Sequence, residues 1–273
     1  MNNFFSSKIV QFVLTLIIMF MVSMTLFTAI PHHAKLIIRI VLIALFFAAW
    51  KFFQNKNLII VKDIAFAFLA LNIAFLVVSF FPSDFWGFQM DSPKGIALGK
   101  LAESLIISLV IILLFFIEGY ELKSIYLTKG RLVPGLIIGV FFFFVFGYLA
   151  INNPQHPIEY GFLKKNYIWI LVFVFANGFM EELIFRGIFL KKLNNYMKPL
   201  WSIILLSFCF AAPHLTVSYT PDVLYFFGIV FVLGLICGYA MYYTESIIAP
   251  TLIHAGADLM IIIPVYVSYG VFN

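Results

Sequence analysis

Two adjacent glutamates, Glu181 and Glu182, lie within an apolar run long enough to span a membrane, FANGFMEELIFRGIFL. A charged side chain at the centre of a membrane helix costs roughly 2.5–3.5 kcal/mol even on insertion scales, so the pair predicts a functional site. Arg186 follows Glu182 by four residues and can pair with it on one helix face. Glu181 is rotated by about 100° from Glu182 and lacks such a cation. The pattern predicts a structural Glu182 and a Glu181 that is available for chemistry.

Two further apolar runs carry histidines. His214 directly follows Pro213, which removes a backbone hydrogen bond and kinks a helix. His254 and Asp258 are four residues apart, so they share a helix face, which suits metal ligation or an oriented acid–base histidine. A lone buried histidine can also simply hydrogen-bond a neighbouring carbonyl, and a Glu–Arg pair can serve packing alone. Together, however, these polar groups on three apolar helices predict one shared site.

The order of these motifs resembles a known family. The segments Glu181-Glu182-Leu-Ile-Phe-Arg186, Phe210-Ala-Ala-Pro-His214 and His254-Ala-Gly-Ala-Asp258 are similar to the motifs of the CPBP superfamily, also called Abi. This superfamily contains type II CAAX prenyl proteases and bacteriocin-processing or immunity proteases. The resemblance covers roughly residues 118–265, and Asp258 departs from the asparagine that many members have there.

The resemblance implies intramembrane hydrolysis of a peptide bond, with Glu181 as the general base that activates water. His214 would orient or share the proton. In a metal-free scheme, His254 and Asp258 would donate to the developing oxyanion, which Asp258 can do only when protonated. In a metal scheme, His214, His254 and Asp258 would bind a divalent ion such as zinc beside Glu181. An aspartate favours the metal scheme, because a carboxylate is a good ligand and a poor donor.

Composition places this site in a membrane. The chain is 64% hydrophobic and 11% charged, whereas a soluble domain averages about 45–50% apolar and about 25% charged residues. We therefore predict an all-α, polytopic membrane protein of eight or nine helices, since each span needs about 20 apolar residues. The candidate spans are residues 9–30, 36–53, 64–81, 101–117, 134–151, 167–190, 200–215, 223–244 and 247–269, and the polar stretches 82–100 and 152–166 are predicted loops.

Residues 1–117 are predicted to form N-terminal helices of unassigned role, and residues 118–273 the protease core. The distribution of basic residues favours a cytoplasmic N-terminus. The abundance of Phe, Ile, Lys and Asn suits an AT-rich bacterial genome, so the expected location is a bacterial cell membrane. The basic residues also account for the net charge of +5, so a nucleic-acid partner is not predicted. Gly135-x-x-x-Gly139 and Gly234-x-x-x-Gly238 predict close helix packing, and Cys209 and Cys237 are expected to be buried thiols.

Two other functions fit parts of the pattern. One is an inactive scaffold or bacteriocin-immunity protein of the same fold, although all of the site's groups are retained. The other is a proton-coupled transporter, but the sequence shows no duplicated half, which inverted repeats would require. The expected substrate is a hydrophobic peptide or membrane protein in contact with lipid, and its identity and any prenylation are left open.

Overall fold

The computed structural model describes residues 8–24, 32–55, 59–153, 158, 160–217 and 222–268, and this described part is helical without strands. The helices are α1 (Lys8–Met24), α2 (His32–Asn55), α3 (Ile59–Val78), α4 (Pro93–Ile117), α5 (Leu132–Ile151), α6 (Tyr160–Glu182), α7 (Leu190–Asn194), α8 (Pro199–Ala211), α9 (Val223–Thr244) and α10 (Ile248–Ser268). Seven described stretches are long and apolar enough to cross a membrane, and two shorter apolar helices lie at the ends. The predicted all-α, polytopic membrane fold is confirmed.

Two predicted loops are partly helical. Helix α4 begins at Pro93, inside the predicted loop 82–100, with Ser92 as its N-cap accepting a hydrogen bond from Gly95 N. Helix α6 begins at Tyr160, inside the predicted loop 152–166. Lysines in these first turns lower the apparent hydrophobicity, although a lysine can lie on a membrane helix with its ammonium near the boundary. Residues 25–30 and 269 of the predicted spans lie outside the described residues.

Two helices change their winding beside the predicted site residues. Helix α8 passes into a 3-10 turn at Ala212–Thr216, where Pro213 predicts an interruption. Helix α6 passes into a π-helical turn at Leu183–Gly187, in which Ile188 N donates to Leu183 O at 3.1 Å. The π turn was not predicted from the sequence. Such single turns occur often at functional sites.

Both glycine motifs pack helices of this chain against each other. A Cβ at Gly139 would lie 2.7 Å from Leu252 Cδ1 on α10, and one at Gly238 would lie 2.9 Å from Ile203 on α8. A Cβ at Gly234 would lie 2.9 Å from Ser207 Cβ. The predicted close helix packing is therefore present between α5 and α10 and between α8 and α9.

The N-terminal helices pack on the segment that follows the glutamates. The rings of Phe20 on α1 and Phe68 on α3 lie 4.6 and 4.8 Å from the Phe189 ring. A polar cluster joins the first three helices, in which Arg39 Nη1 donates to Ser23 O at 3.1 Å and to Asn72 Oδ1 at 2.9 Å. These bonds explain how α2 accommodates an arginine within an apolar stretch.

Three connections meet at one end of the bundle. Arg131 N donates to Thr244 O at 2.7 Å, and Ile247 N donates to Tyr126 O at 3.1 Å. Lys191 Nζ donates to Lys123 O at 3.2 Å. The α4–α5 connection, the short helix α7 and the α9–α10 connection therefore lie at the same end of the bundle. Our orientation from the basic residues assigns this end to the cytoplasm, which stays a prediction.

Candidate active site

Four of the six predicted site residues, Glu181, His214, His254 and Asp258, line one cavity inside the helical bundle. The cavity has a volume of about 280 Å³. Helices α4, α6, α9 and α10 and the end of α8 form its walls. Its lining residues are Lys100, Phe173, Asn177, Glu181, Phe210, His214, Val230, Leu233, His254, Asp258, Ile261 and Ile262.

The two glutamates of α6 separate as their helical spacing predicts. Glu182 is fully buried and accepts a hydrogen bond from Arg186 Nη1 at 2.8 Å, with Arg186 also fully buried. The predicted pair within one helix is confirmed. Glu181 faces the cavity instead, and its side chain is 22% exposed. The exposed fraction matters because a base that activates water must be reachable by water.

Glu182 has a second partner that the sequence did not predict. His254 Nδ1 lies 2.8 Å from Glu182 Oε1, across the interface between α6 and α10. A carboxylate that also accepts from Arg186 can only accept from the ring, so Nδ1 carries the proton. Gly178 permits this approach, because a Cβ there would lie 3.2 Å from Ala255 N and from Thr251 O. Glu182 thus fixes the orientation and the tautomer of His254.

The other ring nitrogen of His254 points between two carboxylates. Its Nε2 lies 3.5 Å from Glu181 Oε2 and 3.6 Å from Asp258 Oδ1. Both distances exceed the usual 2.7–3.2 Å of an N–H···O hydrogen bond. His254 Nε2 is therefore available to a molecule bound in the cavity.

Asp258 is held by Asn177, a residue that the sequence analysis missed. Asn177 Nδ2 donates to Asp258 Oδ2 at 2.9 Å, and both residues are buried. This bond occupies Oδ2, so a proton on Asp258 would reside on Oδ1, the oxygen that faces His254. A signal was present, since Asn177 is one helical turn before Glu181 in an otherwise apolar stretch.

His214 lies in the 3-10 turn and is oriented by its own chain. His214 Nδ1 lies 3.0 Å from Phe210 O. A carbonyl only accepts, so Nδ1 donates, and the lone pair of the neutral ring is on Nε2. The Phe210 ring lies 5.3 Å from the His214 ring and 5.4 Å from the His254 ring. It also lies 4.2 Å from the Arg186 guanidinium carbon. Phe210 thus contacts both histidines and packs against the ion pair.

Lys100 is a further lining residue that sequence reasoning placed in a loop. It lies in the second turn of α4, and its Nζ forms an ion pair with Glu103 Oε2 at 2.7 Å. The misplaced start of α4 hid its position, because Lys100 was counted among the basic residues outside the membrane.

The described residues do not present a ready metal site. No group of three or more His, Cys, Asp and Glu side chains in the described ranges has an arrangement that could hold a metal ion. The predicted set of His214, His254 and Asp258 lines the cavity. The bonds to Phe210 O, Glu182 and Asn177 use Nδ1 of each histidine and Oδ2 of Asp258, so Nε2 of each histidine and Oδ1 of Asp258 are the atoms that a metal would use. The metal scheme stays a prediction.

One comparison with known proteins found a family that matches part of the chain. Residues 163–260 match the family described as Type II CAAX prenyl endopeptidase Rce1-like. A search of curated proteins and a search of solved structures each found no match. The match confirms, for this part of the chain, the resemblance found from the motifs. All six predicted site residues lie within the matched range, whereas Lys100 lies outside it.

Proposed function

We propose that this chain, whose residues 163–260 resemble type II CAAX prenyl endopeptidases, hydrolyses a peptide bond within the membrane. The substrate is a hydrophobic peptide or a membrane-associated protein. The observation that carries the proposal is the convergence of Glu181, His214, His254 and Asp258 on one cavity inside the helical bundle. Ionisable side chains are costly in apolar helices, so four of them around one cavity indicate that they act on a molecule bound there.

Glu181 and His214 activate the attacking water. The Glu181 carboxylate accepts the proton of a water molecule, and the lone pair on His214 Nε2 accepts that water's second hydrogen bond. Phe210 O holds the His214 ring through Nδ1 at 3.0 Å, which aims Nε2 away from its own helix. The two residues come from α6 and from the end of α8, so the water would be positioned between separate elements.

His254 and Asp258 stabilise the charge that develops on the substrate carbonyl. Glu182 holds Nδ1–H of His254, so the ring donates from Nε2 when it is an imidazolium, with Glu181 and Asp258 within 3.6 Å of that nitrogen. Asp258, protonated on Oδ1, supplies a second donor. Donors that are already oriented before the reaction stabilise an oxyanion most effectively.

The reaction then balances as a hydrolysis. Water oxygen bonds to the carbonyl carbon as Glu181 takes the proton, and the carbonyl electrons move onto the oxygen held by His254 and Asp258. Collapse of this intermediate breaks the C–N bond. Glu181 returns the proton to the leaving amine, and the products are an amine and a carboxylic acid, which keeps the second proton of the water until it ionises.

The inactive-scaffold interpretation has no comparable support, because each group in the cavity has a partner or an orientation that suits chemistry. A scaffold would not need Glu182 to orient His254 or Asn177 to orient Asp258.

The test compares wild type with Glu181→Gln, which keeps the side-chain size and removes the base. We expect the variant to insert and fold normally and to lose proteolysis, and His214→Ala to do the same. Proteomics of membrane peptides from cells with either form would show precursors that accumulate only in the variant. Full cleavage of such a precursor by the purified Glu181→Gln protein would overturn the proposal.

A further inference from the structure

The catalytic cavity is too small to hold a peptide by itself. Its volume of about 280 Å³ is below the roughly 300–1,000 Å³ typical of pockets for small ligands. A peptide extends on both sides of the bond that is cut. At least one side of the substrate must therefore lie in adjoining space.

A second cavity adjoins the first. This vestibule, as we name it, has a volume of about 470 Å³ and lies between the end of α3, the α3–α4 connection, α4 and Phe173 of α6. Lys100 and Phe173 line both cavities, so they mark the boundary between them, which we call the neck. The Lys100 ammonium lies 6.0 Å from the Phe173 ring centroid.

The vestibule wall is apolar and aromatic on the side away from the neck. Phe81, Trp86 and Met90 line it, and each is at least one-third exposed. The Phe81 and Trp86 rings lie 6.2 Å apart, which gives a broad apolar surface. Such a surface suits a bulky apolar side chain of a peptide.

Lys100 supplies the polar contact at the neck. An ammonium has three N–H donors, and Glu103 Oε2 accepts from Lys100 at 2.7 Å. Glu103 is three residues later on α4, so it holds the ammonium in place. The other N–H groups of the ammonium can then donate to a substrate. Glu103 already pairs with the ammonium, and the Glu181 carboxylate lines the same cavity as Lys100. A neutral peptide carbonyl is therefore a better ligand for it than another carboxylate.

The vestibule is formed before any substrate binds, because its wall packs closely on α4. A Cβ at Gly95 would lie 1.8 Å from Gln89 O, and one at Gly99 would lie 3.2 Å from Met90 Sδ. The α3–α4 connection thus lies directly against the helix. A preformed wall needs no ordering when a peptide arrives.

We propose that the vestibule is a peptide-binding subsite, in which Lys100 donates to a backbone carbonyl beside the scissile bond and the Phe81–Trp86–Met90 wall holds a bulky apolar side chain. The proposal rests on the proposed function and assigns substrate recognition to α3 and α4, which lie outside the matched range 163–260. The substrate class is an extended peptide with an apolar residue flanking the cleaved bond.

The experiment uses a thiol placed in the vestibule of the full-length protein. Ser83 lines the vestibule, so Ser83→Cys changes one atom there, and the native Cys209 and Cys237 are buried. The background is Glu181→Gln, so that peptides bind without cleavage. The probe is a mixture of short synthetic peptides with randomised apolar positions, and the readout is the rate of maleimide labelling. Asn195→Cys, an exposed position after α7, is the matched control.

We expect the peptides to slow labelling of Ser83→Cys and not of Asn195→Cys. Lys100→Met should weaken this protection about fivefold, the factor that corresponds to one hydrogen bond of about 1 kcal/mol. Lys100→Arg, which keeps donors, should restore part of it. Trp86→Ala should weaken protection through lost apolar contact. Circular dichroism and size-exclusion profiles would show that these variants stay folded.

Wild-type protein is tested for cleavage of the same mixture in parallel. Cleavage without protection of Ser83→Cys overturns the vestibule and leaves the proposed function intact. Protection that Lys100→Met weakens, without cleavage by the wild type, supports the binding site and overturns the proposed protease. The absence of both overturns both. Protection that is equal in Lys100→Met and in the parent overturns the role of Lys100.

Discussion

At the scale of single residues, Glu182 connects folding to chemistry. One of its oxygens, Oε1, accepts from Arg186 Nη1 and from His254 Nδ1, each at 2.8 Å. The first bond lies within one helix and balances a buried charge. The second crosses to α10 and orients a cavity residue. A change at either partner therefore alters the surroundings of the other.

Arg186→Ala should lower the stability of the protein, although Arg186 does not line the cavity. The substitution leaves the fully buried Glu182 without its guanidinium, and breaking a buried pair costs about 3–5 kcal/mol. The measurement is thermal unfolding in detergent, compared with wild type. Equal stability of the two proteins would show that the pair contributes nothing.

Two double variants separate the roles of Glu182. Glu182→Leu with Arg186→Met and Glu182→Gln with Arg186→Met both remove the buried charges, so both should express better than Arg186→Ala. Only the glutamine version keeps an oxygen that can accept from His254 Nδ1. We therefore expect residual activity in the glutamine version and none in the leucine version. If both cleave equally well, orientation of His254 by Glu182 is not needed.

Asp258→Asn distinguishes the metal scheme from the metal-free scheme by the direction of its effect. Asn177 Nδ2 donates to Asp258 Oδ2, so in the variant the new amide oxygen would take the place of Oδ2 and accept this bond. The new side-chain NH2 would then face the cavity. In the metal-free scheme this donor needs no protonation, and activity should hold or rise. In the metal scheme a charged ligand is lost, so metal retention and activity should fall together. Metal content by mass spectrometry and activity with a chelator give the answer.

The sequence predicted the parts of the site that depend on local spacing. The Glu182–Arg186 pair follows from four-residue spacing on a helix, and it is present. The bonds from Asn177 to Asp258 and from His254 to Glu182 join residues 81 and 72 positions apart. Such contacts depend on how α6 and α10 pack, which spacing within one helix does not specify.

At the scale of elements, α10 depends on close packing against α5. A Cβ at Gly256 would lie 2.7 Å from Phe143 Cα, a backbone atom that cannot move aside without shifting α5. Gly256 lies between His254 and Asp258 in the sequence, so this contact fixes the position of both residues along α10 relative to α5.

Gly256→Ala should therefore destabilise the protein and reduce activity. Overpacking typically costs about 1–3 kcal/mol, whereas alanine in place of glycine within a helix otherwise gains about 0.5–1 kcal/mol. Gly228→Ala on α9 is the control, because no atom lies within 4 Å of a Cβ there. Thermal unfolding and cleavage assays should rank Gly228→Ala at or above wild type and Gly256→Ala below it. The opposite ranking would mean that α5 and α10 are not packed this closely.

The sequence was sufficient to predict that the membrane helices form, but not where each helix begins and ends. Apolar stretches of about 20 residues are sufficient to predict spans. The starts of α4 and α6 were placed too late because Lys94, Lys100, Lys164 and Lys165 interrupt hydrophobicity without ending a helix. Because α4 was predicted to begin after Lys100, this residue was assigned to a loop and left out of the predicted site.

At the scale of the whole molecule, the orientation in the membrane can be tested directly. The basic residues predict a cytoplasmic N-terminus, which places the α3–α4 connection outside and the α7–α8 connection inside. Ser83→Cys should then react with an impermeant maleimide in intact cells. Asn195→Cys should react only after permeabilisation. Reversed labelling would invert the orientation and place the vestibule on the cytoplasmic face.

The π-helical turn at Leu183–Gly187 limits how this protein can change in length over time. A π turn contains one more residue than the α-helical path it replaces. Deletion of one residue from this turn would restore the ordinary winding and leave the following segment, with Phe189 and α7, close to its present position. A further insertion would instead rotate that segment by about 100° and move Phe189 away from Phe20 and Phe68. Descendants of this chain should therefore accept the loss of one residue between Glu182 and Phe189 more readily than the gain of one, and the shorter forms should have a continuous α-helix there.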